Sequence, residues 1–194
     1  MSVDTLLIKY DGLPPSNNKY LVPTCTIRGG KAFPSVYESK ESKEFKKHFS
    51  NYLKQLVKNS NWDIEQTSDG HWYLDCFFVQ SRVNQDSNNF FKILLDSMTG
   101  VVFKDDHNIL VRVQKVAYNP KHPRFQLALH KANYIGRFPN EDAYNNFEDN
   151  CKSCSRYRNG GCAILKAIRE NREVEELERV NETFECKEYK RRKS

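Results

Sequence analysis

The residues from position 86 to position 106 combine carboxylates, an amide and a lysine at spacings that suit phosphate chemistry. Asn88, Lys92 and Asp96 recur every fourth residue along a predicted helix, Asp86 lies just before it, and Asp105-Asp106 follows it. Mg²⁺ prefers oxygen ligands and retains water and phosphate oxygens, and a nearby lysine stabilises charge on a phosphate under attack. If the chain returns the doublet to the helix start, these groups converge on one magnesium ion.

The same residues admit an ordinary structural interpretation. Asp86 is of a type that caps helix N-termini, Lys92 and Asp96 have the spacing of a helical ion pair, and an Asp-Asp doublet is typical of a turn. Spacing alone does not separate this interpretation from the catalytic one.

The hydrophobic pattern predicts an α/β domain that positions these residues. Strands are predicted at 3–10, 71–79, 109–117 and 125–130, and helices at 43–58 and 88–99. The strand at 71–79 is apolar on both faces, which is typical of a central strand. The stretch 13–23, with two adjacent prolines and two adjacent asparagines, is predicted to be a loop.

Four of the six cysteines lie in the last quarter of the chain. Cys151 and Cys154 form a CxxC motif, and Cys162 and Cys186 follow it. In a chain with no export signal, such a cluster favours a metal site over disulfides. Four thiolates satisfy tetrahedral Zn²⁺, an iron–sulfur cluster is the alternative that spacing leaves open, and unrelated reduced thiols are the third interpretation.

These patterns divide the chain into three parts. We expect an α/β domain at 1–132, a linker at 133–150, and a small metal-stapled helical module at 151–194. Within the module, a helix is predicted at 163–180 and a basic tail at 187–193.

Two motifs, in this order, resemble the RusA family of Holliday junction resolvases. LPPSNNKY at 13–20 is similar to the family's L-P-P-S-x-N-(R/K)-Y motif. The second motif is similar to the family's D-x-D-N-x-x-K-x-x-x-D helix segment with its paired aspartates. It is carried here by Asp86, Asn88, Asn89, Lys92, Asp96 and Asp105-Asp106. The resemblance spans residues 3–131 and leaves the cysteines of the module outside it.

The resemblance implies a RusA-like mixed sheet with two main helices and a crossover junction endodeoxyribonuclease that makes paired nicks as a homodimer. It implies Mg²⁺ bound by Asp86, Asn88 and Asp106, with Asp105 as a supporting or alternative ligand. It also implies that Lys92 faces the phosphate. The DNA-binding residues that it implies are Asn17, Asn18, Lys19 and Lys92.

Asn88 departs from the family's pattern, which has an aspartate at this position. An asparagine oxygen can bind Mg²⁺ but carries no charge, so we expect weaker metal binding. Three outcomes are open: a working enzyme with a neutral ligand, a site rescued by Asp105, and a non-catalytic relative that binds branched DNA. A fourth hypothesis is a zinc-module adaptor protein whose α/β part is only a scaffold.

Composition narrows the class of protein. The 194 residues are 38% hydrophobic and 29% charged, and no apolar run approaches the roughly 20 residues that a membrane span needs. The net charge of +6 favours a polyanionic partner such as DNA. Without a signal peptide we expect a cytoplasmic protein and no membrane partner. The resembling family is frequent in phages, so a phage-encoded enzyme acting in the host cytoplasm fits this expectation.

Overall fold

A computed structural model describes residues 4–68 and 70–192 of the chain. The chain divides into two compact units, Met1–Lys131 and Ala132–Ser194. Val3, which begins the first predicted strand, and Lys193, which ends the predicted tail, lie outside the described residues. None of the described helices is both long enough and apolar enough to cross a membrane.

The first unit alternates strands and helices. Its elements are β1 (Thr5–Asp11), α1 (Asn17–Tyr20), β2 (Leu21–Arg28), β3 (Lys31–Glu38), α2 (Lys40–Ser60), β4 (Trp72–Gln80), α3 (Phe91–Met98), β5 (Ile109–Tyr118) and β6 (Arg124–Lys131). Short 3₁₀ helices, Ile64–Ser68, Ser87–Phe90 and Asp106–Asn108, precede β4, α3 and β5. The predicted α/β class is confirmed.

Four of the strands form a mixed sheet in the order β1-β6-β4-β5. β4 runs parallel to β5, with Trp72 opposite Ile109 and Gln80 opposite Tyr118, and antiparallel to β6. Because β4 has a neighbour on each side, its prediction as a central strand is confirmed. The connection from β4 to the parallel β5 is a crossover, so α3 runs back along the sheet in the direction opposite to β4.

The core lies between one face of this sheet and the helices α2 and α3. Phe49 and Leu53 from α2, Met98 from α3 and Phe78 from β4 have no exposed surface. The apolar residues of each helix recur at three- and four-residue spacing, which places them on one face. This packing leaves the polar side of α3, with Lys92, at the surface.

β2 and β3 form a separate two-stranded hairpin. The loop predicted at 13–23 overlaps only the start of β2, and no strand was predicted over the rest of the hairpin. Gly29 and Gly30 make its turn with φ of 55° and 76°, a pair of left-handed residues that suits a tight hairpin. Cross-strand pairing puts seven exposed apolar residues on one side, called here the apolar hairpin face. They are Leu21, Pro23, Cys25, Ile27, Ala32, Pro34 and Val36.

The second unit consists of two helices and a short hairpin: α4 (Glu141–Lys152), α5 (Ala163–Arg169), β7 (Leu177–Val180) and β8 (Thr183–Cys186). The prediction of a linker at 133–150 is wrong, because this stretch holds most of α4. Tyr144 and Phe147 of α4 are buried with Phe138 in the core of the unit. The aromatic residues of this stretch, rather than any periodicity, were the sequence feature that could have indicated a core.

The helix predicted at 163–180 is shorter than expected. It ends at Arg169 because Asn171 adopts a φ of 58°, and the N–H groups of Asn171 and Arg172 bond back to the carbonyls of Ile168 and Ala167. The chain then forms β7 and β8. The predicted basic tail folds back onto the CxxC turn, where Ser155 N–H donates to the carbonyl oxygen of Lys190 at 2.7 Å.

Candidate active site and cysteine cluster

Asp86 begins the segment that carries the predicted catalytic residues. Its Oδ1 accepts a hydrogen bond from the backbone N–H of Asn88 at 2.9 Å, so it caps the 3₁₀ helix Ser87–Phe90. Phe90 is buried on the opposite side of this turn, which leaves Asp86 and Asn88 exposed. The cap and a role as metal ligand are compatible, because a carboxylate has two oxygens and several lone pairs.

Lys92 and Asp96 lie one turn apart on the polar side of α3. Lys92 Nζ is 3.5 Å from Asp96 Oδ2, and the Lys92 side chain is 53% exposed. The predicted helical ion pair is therefore present. It fixes the direction of the lysine while its ammonium group stays accessible to an anion.

Tyr20 links the two sequence motifs. It is only 5% exposed, and its hydroxyl donates to Asp96 Oδ2 at 2.5 Å and accepts from Lys46 Nζ at 3.3 Å. Lys46 in turn pairs with Glu38 at 3.2 Å, and Lys92 Nζ lies 5.8 Å from the centre of the Tyr20 ring. Burial, the bond to Asp96 and the charge of Glu38 raise the pKa of Tyr20 far above its ordinary value, so the hydroxyl remains a donor.

The loop before Tyr20 presents polar side chains beside α3. Pro14, Pro15 and Tyr20 are buried and anchor the loop. The exposed residues between these anchors are Asn17, Asn18 and Lys19. Because α1 contacts both α3 and the 3₁₀ helix Ser87–Phe90, the predicted DNA-binding loop and the helix segment lie side by side.

Asp105-Asp106 lies at the opposite end of α3 from Asp86. Two residues separate the doublet from β5, whose first residue pairs with the first residue of β4, whereas Asp86 lies six positions after the last residue of β4. The helical stretch 87–98 that separates them is about 18 Å long at roughly 1.5 Å per residue. Mg²⁺ holds its ligands at about 2.1 Å. The strand pairing therefore does not bring Asp86 and Asp106 of one chain together, and a magnesium ion that they share is not supported within a single chain.

The doublet also caps a short turn. Asp105 Oδ1 accepts the backbone N–H of His107 at 3.2 Å, and His107 Nδ1 lies 3.3 Å from the same oxygen. The backbone and side chain of His107 hold the pKa of Asp105 below its ordinary value. Asp106 is exposed beside it, so two carboxylates face solvent at this end of α3.

The described residues of one chain do not show a complete magnesium site. Within residues 4–68 and 70–192, no group of three or more His, Cys, Asp or Glu side chains is arranged so that it could hold a metal ion. Asp86 and Asn88 supply one carboxylate and one amide at one end of α3, and the doublet supplies two carboxylates at the other. The oxygen donors suit Mg²⁺, but their placement in a single chain does not.

The four C-terminal cysteines come from four places in the second unit. Cys151 is in the last turn of α4, Cys154 in the turn after it, Cys162 at the N-cap of α5 and Cys186 at the end of β8. They line one cavity of about 20 Å³. As elsewhere in the described chain, however, they do not form a group arranged to hold a metal ion. The structure thus brings the four predicted ligands to one cavity but does not itself show a formed zinc or iron–sulfur centre.

Backbone donors face two of these sulfurs. The N–H of Lys190 donates to Cys154 Sγ at 3.5 Å, and the N–H of Leu165 donates to Cys162 Sγ at 3.4 Å. Burial raises the pKa of Cys154, but the backbone donors outweigh it and leave the pKa below its ordinary value. Burial and the neighbouring thiols raise the pKa of Cys151 to about 12.

A charged network on the sheet face turned away from the core was not predicted. Arg112 pairs with both oxygens of Asp75 at 2.7 and 2.8 Å, and Gln114 and His130 contact the same carboxylate at 2.8 and 3.0 Å. Burial raises the pKa of Asp75, but these partners together hold it well below its ordinary value. Asp75, the one charged residue inside the largely apolar β4, was the sequence feature that could have indicated this network.

Comparison with known proteins agrees with the two-motif pattern. The family model described as Endodeoxyribonuclease RusA matches residues 12–130, which is more than half of the chain. The matched span contains the loop, the polar side of α3 and the acidic doublet. The C-terminal cysteines lie outside it. No curated protein matches the chain.

Proposed function

Because the chain belongs to the RusA endodeoxyribonuclease family, we propose that it is a magnesium-dependent nuclease that resolves four-way DNA junctions by paired, symmetrical nicks. The observation that carries this proposal is the bond between Tyr20 and Asp96, which unites both motifs of the matched span in one surface region. The family match establishes that the chain belongs to a family of endodeoxyribonucleases. Junction selectivity, the metal and the roles of individual residues belong to the proposal.

The first half of α3 supplies groups of opposite charge for this reaction. Asp86 and Asn88 offer oxygen ligands, and a bound Mg²⁺ supplies Lewis acidity toward the scissile phosphate. Lys92, directed by Asp96, stabilises negative charge on a phosphate oxygen. The exposed asparagines of the loop and Lys19 contact the DNA backbone nearby.

We propose that the metal site is completed by two copies of the chain. Asp86 and the doublet lie at opposite ends of α3, and a two-fold axis between antiparallel α3 helices sets each end beside the partner's other end. Asp86 and Asn88 of one copy then meet Asp105-Asp106 of the other. The arrangement occurs twice in the dimer, as two cuts in a symmetrical junction require.

The apolar hairpin face favours such self-association. Ile27 is 74% exposed and Val36 is 63% exposed. Both belong to the apolar hairpin face, whose seven residues are all apolar. An isolated two-stranded hairpin is marginally stable in water. Burial of this face against a second copy would stabilise the hairpin through the hydrophobic effect.

A junction-cleavage assay with the full chain tests the proposal. We expect symmetrical nicks in a synthetic four-way junction with Mg²⁺, little cleavage of linear duplex, and a loss of about 100-fold or more in Asp86→Asn. Asp63→Asn is the matched control, since Asp63 Oδ1 accepts the N–H of Glu65 at 2.9 Å in the same type of local cap. It should cleave like the wild type.

Two other outcomes would contradict the proposal. Junction binding without nicks at any Mg²⁺ concentration would support the non-catalytic relative. Weak binding to every DNA form would favour the adaptor hypothesis. Asn88→Asp distinguishes a weak magnesium site from the absence of one. If a weak site exists, the added charge should lower the Mg²⁺ concentration needed for half-maximal cleavage.

A further inference from the structure

We propose that Cys151, Cys154, Cys162 and Cys186 bind one structural Zn²⁺ ion that fastens the second unit together. The proposal concerns residues outside the RusA match and does not depend on the nuclease activity.

The first support is convergence. The four cysteines are separated by up to 35 positions, yet all of them line the same small cavity. The cysteines reach this cavity from α4, from the turn after it, from the start of α5 and from the end of β8, which share no sequence periodicity. Loading with metal then needs adjustment of side chains that already surround the cavity, and not a new fold.

The size of the cavity selects a single ion. Its volume of about 20 Å³ is of the order that holds one water molecule. A four-iron, four-sulfide cluster contains eight atoms and does not fit this space without expansion of the unit. Zn²⁺ requires only four thiolates in a tetrahedron.

The polar surroundings suit bound thiolates. The N–H groups of Lys190 and Leu165 donate to the sulfurs of Cys154 and Cys162, and such bonds stabilise the charged form that binds metal. Four thiolates and Zn²⁺ carry a net charge of about −2. Arg156 lines the cavity together with its ion-pair partner Glu188, and Arg191 pairs through its backbone with Cys154.

The second unit also needs a cross-link. Only six of its described residues form the buried cluster, and each strand of its hairpin has four residues. Cores this small are usually supplemented by metals or disulfides. An ion bound by Cys186 would tie the end of β8 to α4 and to the start of α5.

Metal analysis of the full chain, purified under reducing conditions after growth with zinc, tests the proposal. We expect about one zinc per chain by mass spectrometry. Replacement of zinc by Co²⁺ should give the visible absorption of a tetrahedral thiolate site. Cys186→Ser should lose most of the metal, whereas Cys25→Ser should retain it, because Cys25 is exposed in the first unit.

Chelation of the wild-type chain provides a readout that needs no variant to fold. Removal of zinc should lower the unfolding temperature of the second unit, and added zinc should restore it. Zinc far below one per chain, full metal retention in Cys186→Ser, or iron with inorganic sulfide would each overturn the proposal. Loss of junction cleavage in a chain with zinc bound would count against the nuclease alone.

Discussion

The hydroxyl of Tyr20 donates to the carboxylate of Asp96 at 2.5 Å, although 76 positions separate the two residues. Asp96 also holds Lys92, so a loop tyrosine, a helix acid and a lysine form one connected series. Tyr20 is buried, so its side chain has little surface with which to contact a ligand. It is therefore a positioning residue that sets where the loop and the lysine stand.

Replacement of Tyr20 by phenylalanine should lower the rate of junction cleavage markedly and the free energy of unfolding only slightly. The variant keeps the ring in its buried position but leaves Asp96 without this donor, so Lys92 loses part of its orientation. We expect unfolding to become easier by about 1 kcal/mol. Junction cleavage should fall by roughly tenfold in kcat at little change in KM.

Tyr52→Phe is the matched control for that loss of a hydroxyl. Tyr52 donates to the backbone carbonyl of Lys9 in β1 at 2.6 Å and has no hydrogen bond to Asp96 or Lys92 among the described contacts. It should be destabilised by a similar amount, as urea unfolding would measure, and should cleave at the wild-type rate. Equal loss of activity in both variants would assign Tyr20 a merely structural role.

Lys92→Gln should reduce the cleavage rate by about 100-fold or more, because no cation then faces the charge that develops on the phosphate. Junction affinity should fall only slightly, since one phosphate contact is lost among many. Lys40→Gln is the matched control, because Lys40 pairs with Glu44 at 3.8 Å and the same helical spacing. If cleavage and binding fall together in Lys92→Gln, the lysine contributes binding and not rate.

Mixing two inactive variants should restore activity if the site is shared between chains. In a dimer of Asp86→Asn with Asp106→Asn, one site contains both substitutions and the other contains both wild-type residues. Half of the randomly formed dimers are mixed, so about a quarter of the wild-type nicking rate should return.

The control for this experiment uses the apolar hairpin face. Ile27→Glu, introduced into both variants, should prevent dimers in sedimentation and abolish the recovery, whereas Thr24→Glu on the other hairpin face should not. If wild-type dimers form and exchange but the mixture stays inactive, the two acidic groups do not meet across the interface.

Stability should fall at low pH through Asp75. Its folded pKa is depressed, whereas in the unfolded chain the carboxyl takes up a proton near its ordinary value. The unfolded state therefore binds more protons as the pH drops below about 4, and the stabilisation present at neutral pH is lost. Asp75→Asn should flatten this acid limb in thermal unfolding scans. Asp11→Asn, which alters an exposed carboxyl, should leave it unchanged.

The main strands and helices of the first unit could be predicted because their apolar residues are periodic. Examples are the apolar run that forms β4 and the apolar face of α2 that contains Phe49 and Leu53. The hairpin of β2 and β3 was missed because Pro23 and Pro34 disfavour strands, and because Val22, Phe33 and Tyr37 add apolar residues to the other face and weaken the alternation. The Gly29-Gly30 pair was its one local indication.

Local roles of the candidate site were predictable, but its assembly was not. The cap at Asp86 and the Lys92–Asp96 pair follow from spacing. The separation of Asp86 from the doublet depends on the direction of β5 relative to β4, which pairing alone decides. The contact between Tyr20 and Asp96 is likewise a product of packing between distant segments.

The crossover through α3 gives helix length a geometric meaning in the proposed dimer. With the two antiparallel helices side by side, the span of each sets how far apart the two cutting centres stand. An inserted helical turn would widen that gap by about 5.4 Å. The length of α3 thus sets the distance between the paired nicks, and protein engineering can increase or decrease that distance by changing the helix.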